Sequence, residues 1–384
     1  MDPAAPEVAD RVRRIAREVA APEAATNDRE GRFPRAAVTA LGRAGLLGLP
    51  VAAEDGGLGL GPRAFADATA ELAAADGSLA MVYVMHVAAA LCVAHAPPNA
   101  PRREILGAMA RGEHLSTLAF SERGSRSHFW APVSRARPNG TGVFLSATKS
   151  FVTSAGEADS YVVITQSPRA KSPVESTLYL VASRSPGVRV AGRWDGMGLR
   201  GNASAPVTLE DVHAPDTDRL TAEGGAFETL LSTVLPWFNL GVGAMSLGIC
   251  RAATGATAEH LRTSRLEHLD QSLAEAYPTL RARLARMQIQ TDLLAAHIDR
   301  TVRLLESPTD ETVRAVLEVK AVGNETAIAV TGEAMRACGG AAYSRQTSID
   351  RYFRDAQAGS VMAPTVDQLQ EFLGRTMVGL PPFA

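Results

Sequence analysis

The chain has 384 residues, of which 46% are hydrophobic and 21% are charged, and its formal net charge is -2. This balance excludes an intrinsically disordered chain and a protein that binds nucleic acid through a strongly basic surface. The three cysteines, Cys92, Cys250 and Cys338, are too far apart to predict a metal site or a disulfide framework, so we expect a reducing, cytoplasmic setting.

Residues 1–115 are predicted to form a helical domain. Val8, Val12, Ile15 and Val19 recur at the spacing of an amphipathic helix. Residues 36–47 and 63–96 are rich in Ala and Leu, and the Gly-rich segment 53–61 between them predicts a loop. Residues 1–10 lack the basic and apolar regions of a secretory signal, so we expect none, and the uncharged stretch 79–93 is shorter than the ~20 residues that cross a bilayer. We therefore expect a buried helix there and no membrane span.

Residues 116–224 are predicted to form a small β domain, because β-branched runs at 161–165 and 177–181 alternate with Pro, Gly and Ser clusters. From residue 225 to 384 the pattern is helical again, with one apolar stripe between 280 and 298 and a long helix from about 310 to Gly339. Helices, strands and helices in blocks predict an α+β fold, and they exclude a doubly wound nucleotide-binding fold.

The first motif lies where the β domain begins. Residues 118–128 read LAFSERGSRSH, and this segment resembles the T-E-P-G-A-G-S-D motif of acyl-CoA dehydrogenases. In that family, hydroxyls at the first and penultimate motif positions contact the flavin and the substrate. The resemblance assigns these roles to Ser121 and Ser127.

Two further segments follow in the order and spacing of that family. Residues 149–158, KSFVTSAGEA, are similar to its K-x-W-I-T-N-G strand, which assigns the flavin-facing positions to Phe151 and Thr153. Residues 196–215 resemble its G-x-R-x-S/T segment and the closing F-x-D-V-x-V-P. The implied architecture is an N-terminal helical domain, a β-barrel-like middle domain and a C-terminal four-helix bundle.

The C-terminal third carries the motifs that imply the cofactor and the assembly. Residues 338–343, CGGAAY, resemble the L-G-G-x-G-Y turn, which in the family lies against the adenine half of FAD in a neighbouring subunit. The resemblance therefore assigns FAD contacts to Gly339 and Gly340, and also to Arg265, the one residue retained from an R-x-x-F-G segment. It implies FAD as the cofactor and a homodimer or homotetramer.

The catalytic base of the family is missing at both of its known places. Most members carry a Glu seven to nine residues after R-D-A, and here Ala363 stands at that position with Pro364 after it. Other members carry the Glu on the helix that follows the β domain, where this chain has Phe238, with Asn239 at the accompanying Arg position. An alanine or a phenylalanine cannot accept a proton.

Three functional interpretations stay open. In the first, the protein dehydrogenates an acyl thioester of CoA or a carrier protein, with His86, His128 or Asp367 as the substitute base and an unidentified electron acceptor. In the second, the fold serves a flavin-dependent monooxygenase, which needs no α-proton base and in which His86 can assist. In the third, the protein binds an acyl group without turnover. No metal site is predicted.

Overall fold

The computed structural model describes residues 5–97, 100–126 and 128–383. Helices, strands and helices follow one another along the chain, which confirms the α+β prediction. These elements fall on either side of the predicted limits near 115 and 225, and the limits themselves stay predictions. The N-terminal helices are α1 (Ala5–Ile15), α2 (Ala21–Glu30), α3 (Arg35–Arg43), α4 (Pro62–Ala75), α5 (Gly77–Ala94) and α6 (Ala100–Ala110).

The apolar helix α5 runs through the centre of the protein. The Ala- and Leu-rich segment 63–96 contains two helices, α4 and α5, which are separated at Asp76. There the Asp76 carboxylate accepts hydrogen bonds from the N–H groups of Ser78 at 2.8 Å and Leu79 at 3.3 Å, which caps the N-terminus of α5. Helix α5 and the segment 226–263 are long and apolar enough to cross a membrane, but 89% and 78% of their apolar windows are buried inside the protein.

The middle of the chain forms two sheets. Its strands are β1 (Ser116–Ala119), β2 (Arg137–Pro138), β3 (Gly142–Val152), β4 (Ser160–Gln166), β5 (Ser176–Ala182), β6 (Val188–Val190) and β7 (Ala205–Pro215). One sheet has the order β1-β4-β5 and the other β2-β3-β7-β6. Only the β1–β4 pair is parallel among the described strands. The predicted runs at 161–165 and 177–181 are the paired cores of β4 and β5.

The C-terminal part is built around a four-helix bundle of α8, α10, α11 and α13. Its elements are α7 (Ala226–Thr229), α8 (Leu235–Thr263), β8 (Arg265–Leu266), β9 (Gln271–Ser272), α9 (Leu273–Ala276), α10 (Pro278–Glu306), α11 (Thr312–Cys338), α12 (Gly340–Tyr343), α13 (Ile349–Val361) and α14 (Val366–Met377). Helices α8 and α11 approach closely where Gly243 faces Gly323, because neither residue has a side chain. A Cβ on Gly323 would lie only 3.0 Å from Cα of Gly243. Larger residues at either glycine would force the two helices apart.

One arginine of α13 joins all three parts of the chain. Arg354 donates to both carboxylate oxygens of Asp28 on α2, at 2.8 and 2.5 Å, and to Asp350 one turn earlier at 3.0 Å. It also donates to the carbonyl of Met197, after strand β6, at 3.0 Å. The side chains of Arg354 and Asp28 are only 14% and 15% exposed. Removing the cation would leave two carboxylates facing each other with little water around them.

We predict that Arg354→Met lowers the free energy of unfolding by about 3 kcal/mol, because it leaves Asp28 and Asp350 without their buried counterion. Arg336→Met is the matched control, since Arg336 is 72% exposed and pairs with Glu333 on the protein surface. It should change stability by less than about 0.5 kcal/mol. Urea denaturation measures both variants, and equal losses would contradict a role for Arg354 in joining the domains.

Candidate active site

A buried ion pair joins the loop that follows β1 to strand β3. Lys149 Nζ donates to Glu122 Oε1 at 2.6 Å, and the two side chains are 0% and 4% exposed. The other carboxylate oxygen of Glu122 accepts the main-chain N–H groups of Val133 at 2.5 Å and Ser134 at 2.8 Å. Burial alone would raise the pKa of Glu122, but the ammonium of Lys149 and the hydrogen bonds from Ser134 hold that pKa below its usual range. Glu122 is therefore an anion that fixes the shape of the loop.

Two of the residues predicted to contact the flavin, Ser121 and Phe151, lie beside this ion pair, and a third, Thr153, follows Phe151 in the chain. The carbonyl of Ser121 accepts a hydrogen bond from Ser150 N–H at 2.8 Å, which places Ser121 next to Phe151. Phe151 is 69% exposed and has a left-handed backbone, with φ of 54°. Thr153 is buried, with its hydroxyl 3.2 Å from that of Ser204. The predicted contact Ser127 lies outside the described residues.

This arrangement fits a flavin ring. A large aromatic side chain at the end of a strand is normally covered, and Phe151 instead presents its ring beside a rigid, hydrogen-bonded loop. A planar, mostly apolar ligand laid on Phe151 would bury that surface. The individual contacts stay predictions.

The other predicted cofactor residues lie on the C-terminal helical part. Gly339 ends α11 with φ of 55° and ψ of -131°, and a Cβ on Gly339 or Gly340 would meet nothing within 4 Å. Arg265 lies in the β8–β9 hairpin and donates to the carboxylate of Asp270 at 2.5 Å and to its carbonyl at 2.8 Å. The glycine turn is open on its outer side, so that another molecule can approach its backbone. Arg265 is held by Asp270 within its own hairpin.

The segment that carries Ala363 is held in place by a buried lysine. Lys320 of α11 is 0% exposed, and its Nζ donates to the carbonyls of Gly359 at 3.0 Å, Met362 at 3.1 Å and Pro364 at 2.7 Å. Burial lowers the pKa of Lys320 to about 7. Ala363 lies between two of these carbonyls and packs against an apolar cluster that includes Trp130. Ala363, at the position of the missing carboxylate, thus has an apolar side chain on a backbone segment that Lys320 holds in place.

The second vacant base position is attached to the same helix. Phe238 of α8 is half-buried against the core, and the next residue, Asn239, is fully buried. The Asn239 amide donates to the carbonyl of Val316 on α11 at 2.9 Å. Val316 is four residues before Lys320, so the two residues lie on one face of α11. The residue after Phe238 is thus attached to α11 one turn before Lys320.

His86 occupies a structural position in α5. Its Nε2 donates to the carbonyl of Leu47 at 3.1 Å, and its Nδ1 accepts the N–H of Ser116 at 3.0 Å. Burial lowers the pKa of His86 to about 4, so the ring is neutral at physiological pH. Both nitrogens of the buried ring are therefore engaged with the main chain, which disfavours proton transfer to a substrate.

The other two candidate bases are exposed. The ring of His128 lies 5.0 Å from that of Trp130, measured between centroids. Trp130 in turn packs 5.5 Å from Phe372 of α14, the helix that follows Ala363. Asp367 lies in the first turn of α14 with its side chain at the surface. Both side chains keep access to solvent, and their catalytic roles stay predictions.

Family comparisons agree with this geometry along almost the whole chain. The N-terminal, middle and C-terminal domain models of acyl-CoA dehydrogenases match residues 3–113, 117–212 and 227–377. The chain belongs to the acyl-CoA dehydrogenase family. This confirms the predicted fold, a flavin-dependent oxidoreductase, and FAD as its cofactor.

Relatives within this acyl-CoA dehydrogenase family differ in their chemistry. The short-chain specific acyl-CoA dehydrogenase of Bos taurus is 26% identical over 90% of this chain and 82% of its own length. The amino sugar nitrososynthase RubN8 of Streptomyces rubradiris is 28% identical over 93% of this chain and 86% of its own length. In structure, butyryl-CoA dehydrogenase from Megasphaera elsdenii superposes with a TM-score of 0.92 at 21% identity, covering 98% of this chain and 99% of that one.

Sequence reasoning missed Lys320. A single lysine within the apolar stripe of Val316, Val319 and Ala327 indicates a buried charge on α11. The sequence could not show what that charge contacts, because its partners are main-chain carbonyls.

The pH dependence of stability tests the structural role of His86. The pKa of His86 in the folded protein is below its usual value of about 6.5, so the unfolded chain takes up a proton first as the pH falls. The stabilisation is complete above pH 6.5 and is lost as the pH approaches 4. Between about pH 7.5 and about pH 5, His86 should account for a loss of about 2 kcal/mol in the free energy of unfolding.

Urea denaturation at the two pH values measures this loss in the parent protein and in His86→Gln. The variant should lose less stability on acidification, because glutamine does not titrate. His128→Gln serves as the control at an exposed histidine and should behave like the parent. If His86→Gln and the parent lose the same amount of stability, the neutral, structural role of His86 is wrong.

Proposed function

We propose that this protein uses FAD to dehydrogenate the α,β-bond of an acyl thioester carried by CoA or by a carrier protein. The observation that supports this most strongly is the rigid unit of Ser121, Glu122, Lys149 and Phe151, which places an exposed aromatic ring beside an ordered loop. When bound, FAD supplies the hydride acceptor of the reaction. The residues of the chain bind, orient and shield the reacting groups.

The individual residues have distinct parts in this proposal. Phe151 supplies an apolar face for the flavin, and the Glu122–Lys149 pair prevents the adjoining loop from moving away. Lys320 holds the backbone on both sides of Ala363, so this segment forms a fixed wall rather than a mobile lid. The half-buried Phe238 adds apolar surface on the side of α8. Such a pocket excludes water from the thioester.

The substitute base comes from outside the two usual places. His86 is the least suitable of the three candidates, because both ring nitrogens already bond to the main chain. His128 and Asp367 keep exposed side chains on the loop and on α14. Replacing each by its amide analogue, His128→Gln or Asp367→Asn, distinguishes them by the rate of anaerobic flavin bleaching.

An oxygen-dependent oxidation is the second candidate. Neither base position carries a carboxylate, and an amino sugar nitrososynthase is among the relatives. A reaction of reduced flavin with oxygen needs no group that removes an α-proton. Incorporation of label from ¹⁸O₂ into a product, without bleaching by acyl thioesters under anaerobic conditions, would favour this candidate.

Restoring the family carboxylate tests the dehydrogenase proposal. Ala363→Glu combined with Pro364→Gly should speed flavin bleaching by short acyl-CoA thioesters by at least about tenfold, because it places a general base on the fixed segment. Glycine at 364 relieves the restriction that proline imposes on residue 363, and it keeps the carbonyl that Lys320 binds. Anaerobic stopped-flow absorbance measures the rate.

Val361→Glu is the matched control for this double variant. It adds the same carboxylate two residues earlier, at a side chain that is 74% exposed, and should leave the bleaching rate unchanged. A double variant that folds and retains its flavin, yet bleaches no faster than the parent, would mean that the segment does not face an acyl α-carbon.

We further propose that the protein works as a homodimer or homotetramer. The open Gly339–Gly340 turn supports this, because its backbone is free to receive the adenine half of FAD from another subunit. Light scattering of the flavin-loaded protein should report two or four chains. A monomer that retains FAD tightly would contradict the proposal.

A further inference from the structure

The loop between Ser121 and His128 carries two exposed arginines that the family motif does not have. Arg123 and Arg126 stand where the motif T-E-P-G-A-G-S-D has Pro and its second Gly. Both side chains are exposed. Neither forms an ion pair with a carboxylate in the part of the chain that the structure describes. Their positive charge is therefore available to a ligand.

The only carboxylate between residues 121 and 128 does not offset this charge. Glu122 is buried and turned inward, where it pairs with Lys149 and accepts three hydrogen bonds from Val133 and Ser134. The two charges of the ion pair compensate each other inside the protein. The exposed side of the loop thus carries the charge of both arginines, two and five residues after Ser121 in the chain.

Hydrogen bonds hold the described part of the loop, from Ser121 to Arg126. Ser125 N–H donates to the Glu122 carbonyl at 3.1 Å, and Glu122 N–H donates to the Ser125 hydroxyl at 3.2 Å. Arg126 has a left-handed backbone with φ of 47°, a conformation that costs free energy in a residue other than glycine. The loop therefore presents the two guanidinium groups from a preformed turn around Gly124. Preorganisation reduces the entropy lost when a ligand binds.

We propose that Arg123 and Arg126 form a phosphate-binding site at the edge of the flavin pocket. Guanidinium groups bind phosphate oxygens through paired, charge-assisted hydrogen bonds. Two molecules expected in this pocket carry such a group: FAD, through its diphosphate, and a phosphopantetheine thioester, through its phosphate. The second source rests on the function proposed above, whereas the first requires only that the protein binds FAD.

Binding measurements on the full chain separate the two sources. Arg123→Gln/Arg126→Gln would be compared with the parent by titrating the flavin-free protein with FAD and with riboflavin, and by following the fluorescence of the flavin. The flavin-loaded protein would be titrated by calorimetry with 4′-phosphopantetheine and with pantetheine. Loss of the two charge-assisted contacts should weaken the binding of either FAD or 4′-phosphopantetheine by at least about tenfold. Its phosphate-free counterpart should be unaffected.

Arg184→Gln is the control, because Arg184 is an exposed arginine after β5, at the end of the sheet opposite the loop. Arg123→Lys/Arg126→Lys should recover part of the affinity, since it keeps the charge. A selective loss for FAD assigns the site to the cofactor, and a selective loss for phosphopantetheine assigns it to the substrate. Unchanged affinity for both phosphate-bearing probes overturns the proposal. These experiments measure binding and not catalysis, so their result does not depend on whether the protein dehydrogenates thioesters.

Discussion

The ion pair between Glu122 and Lys149 determines how the loop after β1 meets strand β3, beside the residues that we propose to contact the flavin. Removing two charges from water is costly, and such a pair adds little net stability by itself. Breaking it is far more costly, since either partner alone would be a buried, uncompensated charge. The loop after β1 and the strand β3 are therefore tied to one relative position. Ser121 and Phe151 lie next to each other because Glu122, the residue after Ser121, pairs with Lys149, and Ser150, the residue before Phe151, donates to the Ser121 carbonyl.

Lys320 also fixes a segment of the chain, but its partners are main-chain carbonyls and not a carboxylate. Its ammonium is fully buried and is satisfied by three carbonyls at the end of α13 and the start of α14. These carbonyls belong to the main chain, so the anchor is independent of the side chains at 361–365. Together the two buried lysines hold a loop of the β domain and a segment of the helical domain. Phe129 and Trp130 belong to the apolar cluster on which Ala363 also packs.

The sequence predicted what depends on motif and periodicity. The block order of helices and strands and the strands at 161–165 and 177–181 follow from local patterns, and the structure has them. The role of His86 could not be predicted, because its partners, Leu47 and Ser116, are distant in the chain and contribute only main-chain atoms. For the same reason Lys320 was not recognised. The break at Asp76 could not be read from composition, because the capping role of this residue depends on its backbone conformation.

The two positions where the family carries its base differ from Glu122, Lys149 and Lys320, because the fold requires no particular side chain there. Glu122, Lys149 and Lys320 each satisfy buried partners, and replacing them would leave polar groups unpaired. The side chain of Ala363 makes no hydrogen bond, and the segment around it is held through its carbonyls by Lys320. A carboxylate can therefore be lost there without any cost to the structure. The scaffold and the catalytic group are physically separable in this family, so an intact flavin pocket does not determine which reaction the pocket performs.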